Sequence, residues 1–222
     1  MVKHSKITKV FQLSLVIIFI LVLLGLFVPQ QFQNISSYLK NLLTTSVGWL
    51  YLLLVTGILI FCVFLIVSPI GQIRLGNPTS RPEHSTTSWI AMMFSAGMGI
   101  GLVFYGAAEP LSHFAISTPN AEIGSADALA DAFRFTFFHW GFHAWAVYAL
   151  VGLSLAYFGF RKREKYQLSV VFKPLFGKYA DGPIATIIDT ITIIATVIGV
   201  ATTLGFGASQ INGGLSYVFG IP

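Results

Sequence analysis

Apolar residues run along this chain in five long stretches, separated by segments in which polar and charged residues gather. The stretches cover residues 10–28, 47–67, 89–106, 135–160 and 185–205. A membrane-spanning helix needs about 20 mainly apolar residues to cross a hydrocarbon layer about 30 Å thick. We therefore predict five transmembrane helices, which form a single all-α, polytopic membrane helical bundle over residues 1–222.

The first stretch also has features of a secretory signal peptide, because Lys3, Lys6 and Lys9 precede an apolar run. The run is long, however, and no small-residue cleavage site follows it. We expect this segment to remain in the protein as the first span. The chain ends at Pro222 without a polar tail, which is typical of a protein cut off part-way.

The scarcity of charge supports the membrane assignment. Only 9% of the residues are Asp, Glu, Lys or Arg, against roughly 25% in a typical soluble domain. A soluble fold of this size could not cover its surface with so few charges. Composition therefore excludes an ordinary soluble enzyme, a disordered region and a nucleic-acid-binding domain. The single cysteine, Cys62, excludes a disulfide within the chain and is expected to pack among apolar residues.

The basic residues predict the orientation of the spans. Eleven of the 13 lie before span one, between spans two and three, or between spans four and five, which all fall on one side. Lys40 lies on the other side, and Arg134 lies at the edge of span four. Because cytoplasmic loops carry the excess of bases, the N-terminus is predicted to be cytoplasmic. The cluster from Arg161 to Lys165 is interpreted as part of this topology signal.

Three glycines interrupt the third span. Gly97, Gly99 and Gly101 are two residues apart, whereas a helix-packing stripe of glycines uses a spacing of four. Each costs about 1 kcal/mol relative to alanine in a helix interior. Unwound backbone at this depth is tolerated where it lines a cavity or is buried in protein, and its free carbonyls and amides can then bind ions. An unwound segment and a kinked packing helix both remain open on these residues.

The fourth span carries Trp140, Trp145 and Tyr148. At about 100° per residue, Trp145 lies about 140° from Trp140, and Tyr148 lies between them on one arc. Interfacial Trp and Tyr belong at span ends, but this helix is predicted to continue to residue 160. The cluster indicates either a cage that holds a quaternary ammonium by cation–π attraction or ordinary aromatic packing.

Two histidines project from the other side of the same helix. His139 and His143 are four residues apart, a spacing at which two imidazoles can share a metal ion. No third ligand is evident in the sequence. We therefore expect both to be packing histidines and predict no metal site.

Other polar residues in or near the spans have several interpretations. Asp189, Thr196 and Thr203 are seven residues apart and share one helix face. A role in gating or structure competes with an ion pathway for Asp189, and Thr196 could bind sodium or bond back onto its own helix. Glu109, just past span three, is interpreted as a loop residue.

Together these segments resemble the betaine/carnitine/choline transporter family over essentially the whole chain. Each piece alone is weak, but their order and spacing are very specific. The matching pieces are Ile73–Gly76, Ser88–Phe94 continuing through the glycines to Tyr105–Pro110, Phe138–Trp140 with His143–Tyr148, and Gly205–Ile211.

The resemblance implies a twelve-span fold of the leucine-transporter type. Two leading spans precede two inverted five-helix repeats in that fold, and span three here corresponds to the unwound first helix of repeat one. This chain would then be the N-terminal, incomplete portion. The resemblance also implies residence in the cell membrane of a bacterium and, at full length, a homotrimer.

The resemblance further implies roles for individual residues. The Trp140, Trp145 and Tyr148 side chains correspond to the aromatic box around the trimethylammonium group. The unwound segment meets the substrate at Gly97, Met98, Gly99 and Gly101. One sodium site uses the backbone carbonyls of Ser95 and Met98. Thr196 corresponds to one of two threonines of a second sodium site, whereas the other position is Val200 here, which puts the second ion in doubt.

Gly101 bears on the substrate. Choline-selective, proton-coupled relatives tend to carry an acid there, whereas glycine suits a substrate with its own carboxylate. We therefore expect sodium-coupled import of glycine betaine by alternating access, with no enzymatic activity and no cofactor beyond the coupling ion. The alternatives are a choline or carnitine carrier with proton coupling or exchange, a channel, and a truncated fragment that does not transport.

Overall fold

The computed structural model describes residues 7–97, 99–118 and 120–220. Over these residues the regular structure is entirely helical, with no β-strand. The α-helices are α1 Lys9–Phe27, α2 Pro29–Val67, α3 Thr86–Gly97, α4 Ile100–Ala115, α5 Ala126–Trp140, α6 Phe142–Ala156, α7 Leu168–Val171, α8 Lys173–Phe176 and α9 Pro183–Phe219. Short 3₁₀ turns cover Pro69–Gln72 and Gly177–Asp181, and a π-helical turn covers Tyr157–Arg161.

The lengths of these helices confirm the predicted fold class. Among the described residues, four helical segments are long and apolar enough to cross a membrane: Lys9–Phe27, Pro29–Val67, Ala126–Arg161 and Pro183–Phe219. The pair formed by α3 and α4 is bent by 48° and makes a fifth if it is counted as one broken span. The protein is thus all-α and polytopic.

Several helices extend beyond the predicted spans, α2 and α9 the furthest. Helix α2 begins at Pro29, although residues 29–46 are polar enough to be predicted as a connection. Val28 leaves the helical conformation between α1 and α2 (φ −136°, ψ 53°), because a residue before proline disfavours the α region. Proline at the first helical position then favours a new helix. Helix α9 likewise continues past residue 205 to Phe219.

The fourth span is interrupted at Gly141, between α5 and α6. A Cβ atom there would overlap the carbonyl oxygen of Phe137, so the local backbone requires a residue without a side chain. The interruption makes Trp140 the last residue of α5 and places Trp145 in the first turns of α6.

Contacts divide the chain into two compact units. One comprises the residues up to Asn77 together with Ala149–Ile198, and the other comprises Pro78–Tyr148 together with the residues from Gly199 onward. In the second unit α4 packs against α5. Ala128 and Ala132 of α5 are completely buried, since small side chains allow two helix backbones to approach closely.

A buried carboxylate holds the first unit together near α7. Asp189 of α9 accepts hydrogen bonds from the backbone N–H of Ser169 (3.0 Å) and from its hydroxyl (2.8 Å). On the same unit, the Arg161 guanidinium donates to the carbonyl oxygen of Arg74 at 2.8 Å. These bonds favour the structural interpretation of Asp189, and Arg161 connects the π-helical turn to the segment that follows Gln72.

Large apolar side chains are exposed on most helices of both units. Among the described residues none of the large side chains is fully buried. A soluble domain of this size would bury many of them. In a bilayer such surfaces contact lipid tails or neighbouring helices, which agrees with the predicted membrane environment.

Candidate functional site

The helix of span three is broken at its glycines. Helix α3 ends at Gly97, Gly99 is extended (φ −72°, ψ 168°), and α4 begins at Ile100. Met98 lies outside the described residues. Gly99 leaves the helical conformation, which agrees with the predicted unwound segment, and an unbroken straight helix is excluded. The last carbonyls of α3, including that of Ser95, and the first N–H groups of α4 consequently lack partners within their helices.

Two of the glycines face the tryptophans of the predicted aromatic box. A Cβ atom on Gly97 would lie 3.1 Å from Cη2 of Trp145, and one on Gly101 would lie 3.7 Å from Cη2 of Trp140. The first distance is tighter than ordinary van der Waals contact, so a side chain at residue 97 would displace the indole. At Gly99 the surrounding space is open. The broken helix and the two indoles therefore form one site.

The aromatic residues are linked to each other by rings and by a hydrogen bond. The Trp145 Nε1–H donates to the carbonyl oxygen of Trp140 at 3.1 Å. The rings of Trp145 and Tyr148 have centroids 5.8 Å apart and are inclined by 60°. Trp145 thus contacts both other residues of the predicted box, Tyr148 through its ring and Trp140 through the Trp140 carbonyl.

Further aromatic side chains extend this group and were missed by the sequence analysis. Tyr105 of α4 lies 5.8 Å from the Trp140 ring. Phe206 of α9 stacks on Phe104 at 5.3 Å and contacts Tyr105 edge-on at the same distance. No periodic signal marks these contacts, since they join helices that are distant in sequence.

Glu109 was interpreted as a loop residue, and that interpretation is wrong. It lies within α4, which continues through Pro110 to Ala115. Its Oε2 accepts a hydrogen bond from Trp140 Nε1 at 2.6 Å, and its Oε1 accepts one from His139 Nδ1. An ionisable residue in a span is a candidate functional residue by default. The length of the apolar run hid this signal, because the predicted span ended at residue 106.

His113 completes a cluster around this carboxylate. Its Nε2 lies 3.4 Å from Glu109 Oε1, and its Nδ1 is 3.3 Å from the carbonyl oxygen of Ser117. The Glu109 and His113 side chains are mostly buried, whereas His139 is half-exposed. His139 was paired with His143 on their spacing, but its polar neighbours among the described residues include Glu109 and His113. The His143 ring packs on Phe138 with centroids 4.7 Å apart.

Among the predicted sodium ligands, Thr196 makes a side-chain hydrogen bond within its own helix. The hydroxyl of Thr196 donates to the carbonyl of Thr192 at 2.8 Å, and that of Thr203 donates to Gly199 at 2.9 Å. A hydrogen bond from the hydroxyl back onto its own helix was one of the two interpretations left open for Thr196. The hydroxyl oxygen still has lone pairs to offer a cation. The sodium site of Ser95 and Met98 and the second sodium site with Thr196 both stay predictions.

The sequence of the chain matches a known family of membrane proteins. The profile of the betaine/carnitine/choline family of transporters matches residues 9–222. The chain belongs to this family. The resemblance carried by the sequence motifs is thereby confirmed.

Several bacterial relatives cover nearly all of the chain. The glycine betaine transporter OpuD of Bacillus subtilis (strain 168) is 54% identical over 222 residues, which is 100% of this chain and 43% of the relative. A probable glycine betaine transporter of Desulfitobacterium hafniense (strain Y51) is 45% identical over 98% of this chain and 44% of its own length. The ectoine/hydroxyectoine transporter of Virgibacillus pantothenticus is 44% identical over 96% of this chain and 42% of its own length. The chain thus spans less than half the length of these relatives.

Proposed function

We propose that the protein of which this chain forms a part imports glycine betaine, or a closely related quaternary ammonium osmolyte, across the bacterial cell membrane. The observation that carries this proposal is the approach of Trp145 to Gly97 and of Trp140 to Gly101 at the break between α3 and α4. The names of two relatives, both glycine betaine transporters, favour the same substrate.

The chemistry of the site suits a zwitterion with a trimethylammonium group. Indole faces attract a desolvated quaternary ammonium by about 2 kcal/mol, and Tyr148 adds a third ring beside Trp145. The first N–H groups of α4, with the positive end of its helix dipole, favour a carboxylate at the break. Gly101 leaves room for this substrate carboxylate, where an acidic side chain would repel it.

Sodium is the proposed coupling ion. The carbonyls at the end of α3, that of Ser95 among them, are oxygen donors without intrahelical partners. The family resemblance adds the carbonyl of Met98 to the same sodium site, and the Thr196 hydroxyl would contribute to a second position. An ion bound there would stabilise the broken helix in the conformation that receives the substrate. Alternating access would then release both into the cytoplasm, on the side of the N-terminus. At full length we expect a homotrimer.

Uptake by reconstituted vesicles tests the proposal directly. Full-length protein in proteoliposomes should accumulate radiolabelled glycine betaine saturably under an inward sodium gradient and much less when potassium replaces sodium. Choline, carnitine and ectoine serve as competitors, and the strongest competitor is expected to be unlabelled betaine. Uptake that persists without sodium would overturn the coupling, preferential inhibition by choline would overturn the substrate, and flux without saturation would indicate a channel.

Substitution of Trp145 tests the aromatic site within the same assay. Replacing Trp145 by Leu should weaken betaine binding about 30-fold, the equivalent of about 2 kcal/mol of cation–π attraction. Replacing Trp49 by Leu is the matched control, because Trp49 is an exposed tryptophan of α2. Equal betaine affinity of the two variants would exclude the aromatic box.

A further inference from the structure

The cluster of Glu109, His113 and His139 has a composition that betaine recognition does not require. It offers one carboxylate oxygen and two imidazole nitrogens, and these ligand atoms all lie within 4.8 Å of one another. We propose that the three residues form a binding site for a divalent transition-metal ion, with Zn²⁺ the ion that the donors fit best. This inference goes beyond the proposed transport function and is separate from the predicted sodium ligands.

The distances suit tetrahedral coordination. With bonds of about 2.0–2.1 Å to zinc, neighbouring ligands of a tetrahedral site are about 3.3 Å apart. The separation of His113 Nε2 from Glu109 Oε1 is 3.4 Å. His139 Nδ1 is hydrogen-bonded to the same oxygen, so Zn²⁺ would displace that proton and separate the two atoms. Three protein ligands leave a fourth position for water.

Neighbouring groups already orient two of the three ligands. The carbonyl of Ser117 lies 3.3 Å from His113 Nδ1, which favours a proton on that nitrogen and leaves a lone pair on Nε2 facing Glu109. Trp140 Nε1–H occupies Oε2 of Glu109, so Oε1 is the oxygen directed to the histidines. Carbonyl and indole partners of this kind fix the orientation of metal-binding imidazoles and carboxylates.

The helices that carry the ligands are held together by close packing. Glu109 and His113 are one turn apart on α4, and His139 lies in the last turn of α5. Helix α5 packs against α4, and its Ala128 and Ala132 are completely buried. The donor set also selects the ion, since imidazole suits zinc, copper and nickel, whereas Na⁺, Mg²⁺ and Ca²⁺ prefer oxygen ligands alone.

Calorimetric titration of the full-length protein with ZnSO₄ tests the proposal. The protein should carry no polyhistidine tag, and betaine should be absent, so that failure here and failure of the transport function are distinguishable. We expect one Zn²⁺ per chain. His113→Ala and His139→Ala should each weaken binding by at least about tenfold, because losing only a hydrogen-bond partner of a metal ligand already costs that much. His84→Ala is the control, because His84 is an exposed loop histidine, and it should bind as the wild type does.

An absorption measurement keeps the test decisive if a histidine variant fails to fold. X-ray absorption of the Zn²⁺-loaded wild type should show nitrogen and oxygen neighbours alone at about 2.0–2.1 Å, two of them imidazoles. Glu109→Gln should weaken binding while leaving an amide oxygen for the Trp140 indole. The proposal is overturned if no Zn²⁺ binds, if the histidine variants bind as tightly as His84→Ala, or if fewer than two imidazoles surround the ion.

Discussion

Glu109 and Asp189 are carboxylates within apolar helices of this protein, and their surroundings differ in kind. Asp189 of α9 is buried and accepts both of its recorded hydrogen bonds from a single residue, Ser169. Glu109 of α4 is bonded to the side chains of His139 and Trp140 and has His113 beside it. Both acids are expensive to keep in a membrane protein, so each must gain something from its partners.

The partners show what each carboxylate does. A backbone N–H and a hydroxyl do not change their charge at physiological pH and belong to a short helix, so Asp189 holds α7 against α9. The partners of Glu109 are an indole of the proposed substrate site and two imidazoles that can bind a proton or a metal ion. The first arrangement stabilises the fold, whereas the second connects a charge to residues that act on ligands.

The largest effect should come from Asp189→Ala. The substitution leaves the N–H and hydroxyl of Ser169 without their acceptor in a buried place, and each unsatisfied donor costs about 1–3 kcal/mol. We expect the free energy of unfolding in detergent to fall by about 3 kcal/mol. Chemical denaturation followed by circular dichroism measures this loss. Betaine affinity of the folded fraction should remain close to that of the wild type.

Asp181→Ala is the matched control for this substitution. Asp181 is an exposed acid of the same segment, with a side chain 68% accessible. Its loss should change stability by less than about 0.5 kcal/mol. A comparable loss of stability in both variants would mean that the Asp189–Ser169 bonds have no special structural role.

Substitution of Glu109 should lower betaine affinity, whereas substitution of Asp189 should mainly lower stability. Glu109→Ala removes the acceptor of the Trp140 Nε1–H bond, so the indole beside Gly101 loses its fixed orientation. We expect betaine affinity to fall about tenfold, which corresponds to about 1.4 kcal/mol, and stability to fall less than in Asp189→Ala. Tryptophan fluorescence titration with betaine measures the affinity.

Glu109→Gln should restore part of that affinity, because its amide oxygen can still accept from the indole. Glu122→Ala, which removes an exposed acid from the same compact unit, should leave betaine binding unchanged. If Glu109→Ala binds betaine as tightly as Glu122→Ala does, Glu109 does not position Trp140.

The sequence predicted those features that depend on neighbouring residues. Gly97, Gly99 and Gly101 predicted an irregularity in the third span, either an unwound segment or a kink, because the cost of clustered glycines in a helix is local. The apolar runs were sufficient to predict the spans, since each helix satisfies its own backbone in the membrane. The ends of the helices were harder to predict. Residues 29–46 are polar, yet they belong to α2, because after Pro29 they contain no residue that breaks a helix.

The Glu109 cluster could not be predicted, because its members are far apart along the chain. His139 is 30 residues from Glu109, and only the packing of α5 on α4 brings them together. The break at Gly141 sets the direction in which the following side chains project. One continuous helical periodicity through residues 140–148 therefore does not describe their arrangement. His139 was paired with His143 because residues four apart share one face of a helix. The packing of α5 on α4 places His139 against Glu109 instead.

The smallest effect belongs to a partly exposed charge of the region around Asp189. Lys173 of α8 lies 3.1 Å from Glu164 and 3.3 Å from Asp181. Hydrogen bonds to Glu164 and then Asp181 raise the pKa of Lys173 above its usual value. Its contribution to stability is therefore fully present below the pKa of the unfolded chain, about 10.4, and disappears as the pH rises through the higher pKa of the folded state.

Lys173→Gln should accordingly lower the melting temperature by only about 1 °C at pH 7–8, because exposed ion pairs contribute little. The difference from the wild type should shrink as the pH rises above about 10.5, and it should also shrink in 1 M salt, where the screening length falls to about 3 Å. Lys165→Gln, which changes an exposed lysine nearby, is the control and should show neither trend. A large difference in melting temperature between Lys173→Gln and the wild type, independent of pH and salt, would show that packing of the lysine stem, rather than its charge, stabilises this segment. In that case Asp189 alone would stabilise the fold of this region through its charge.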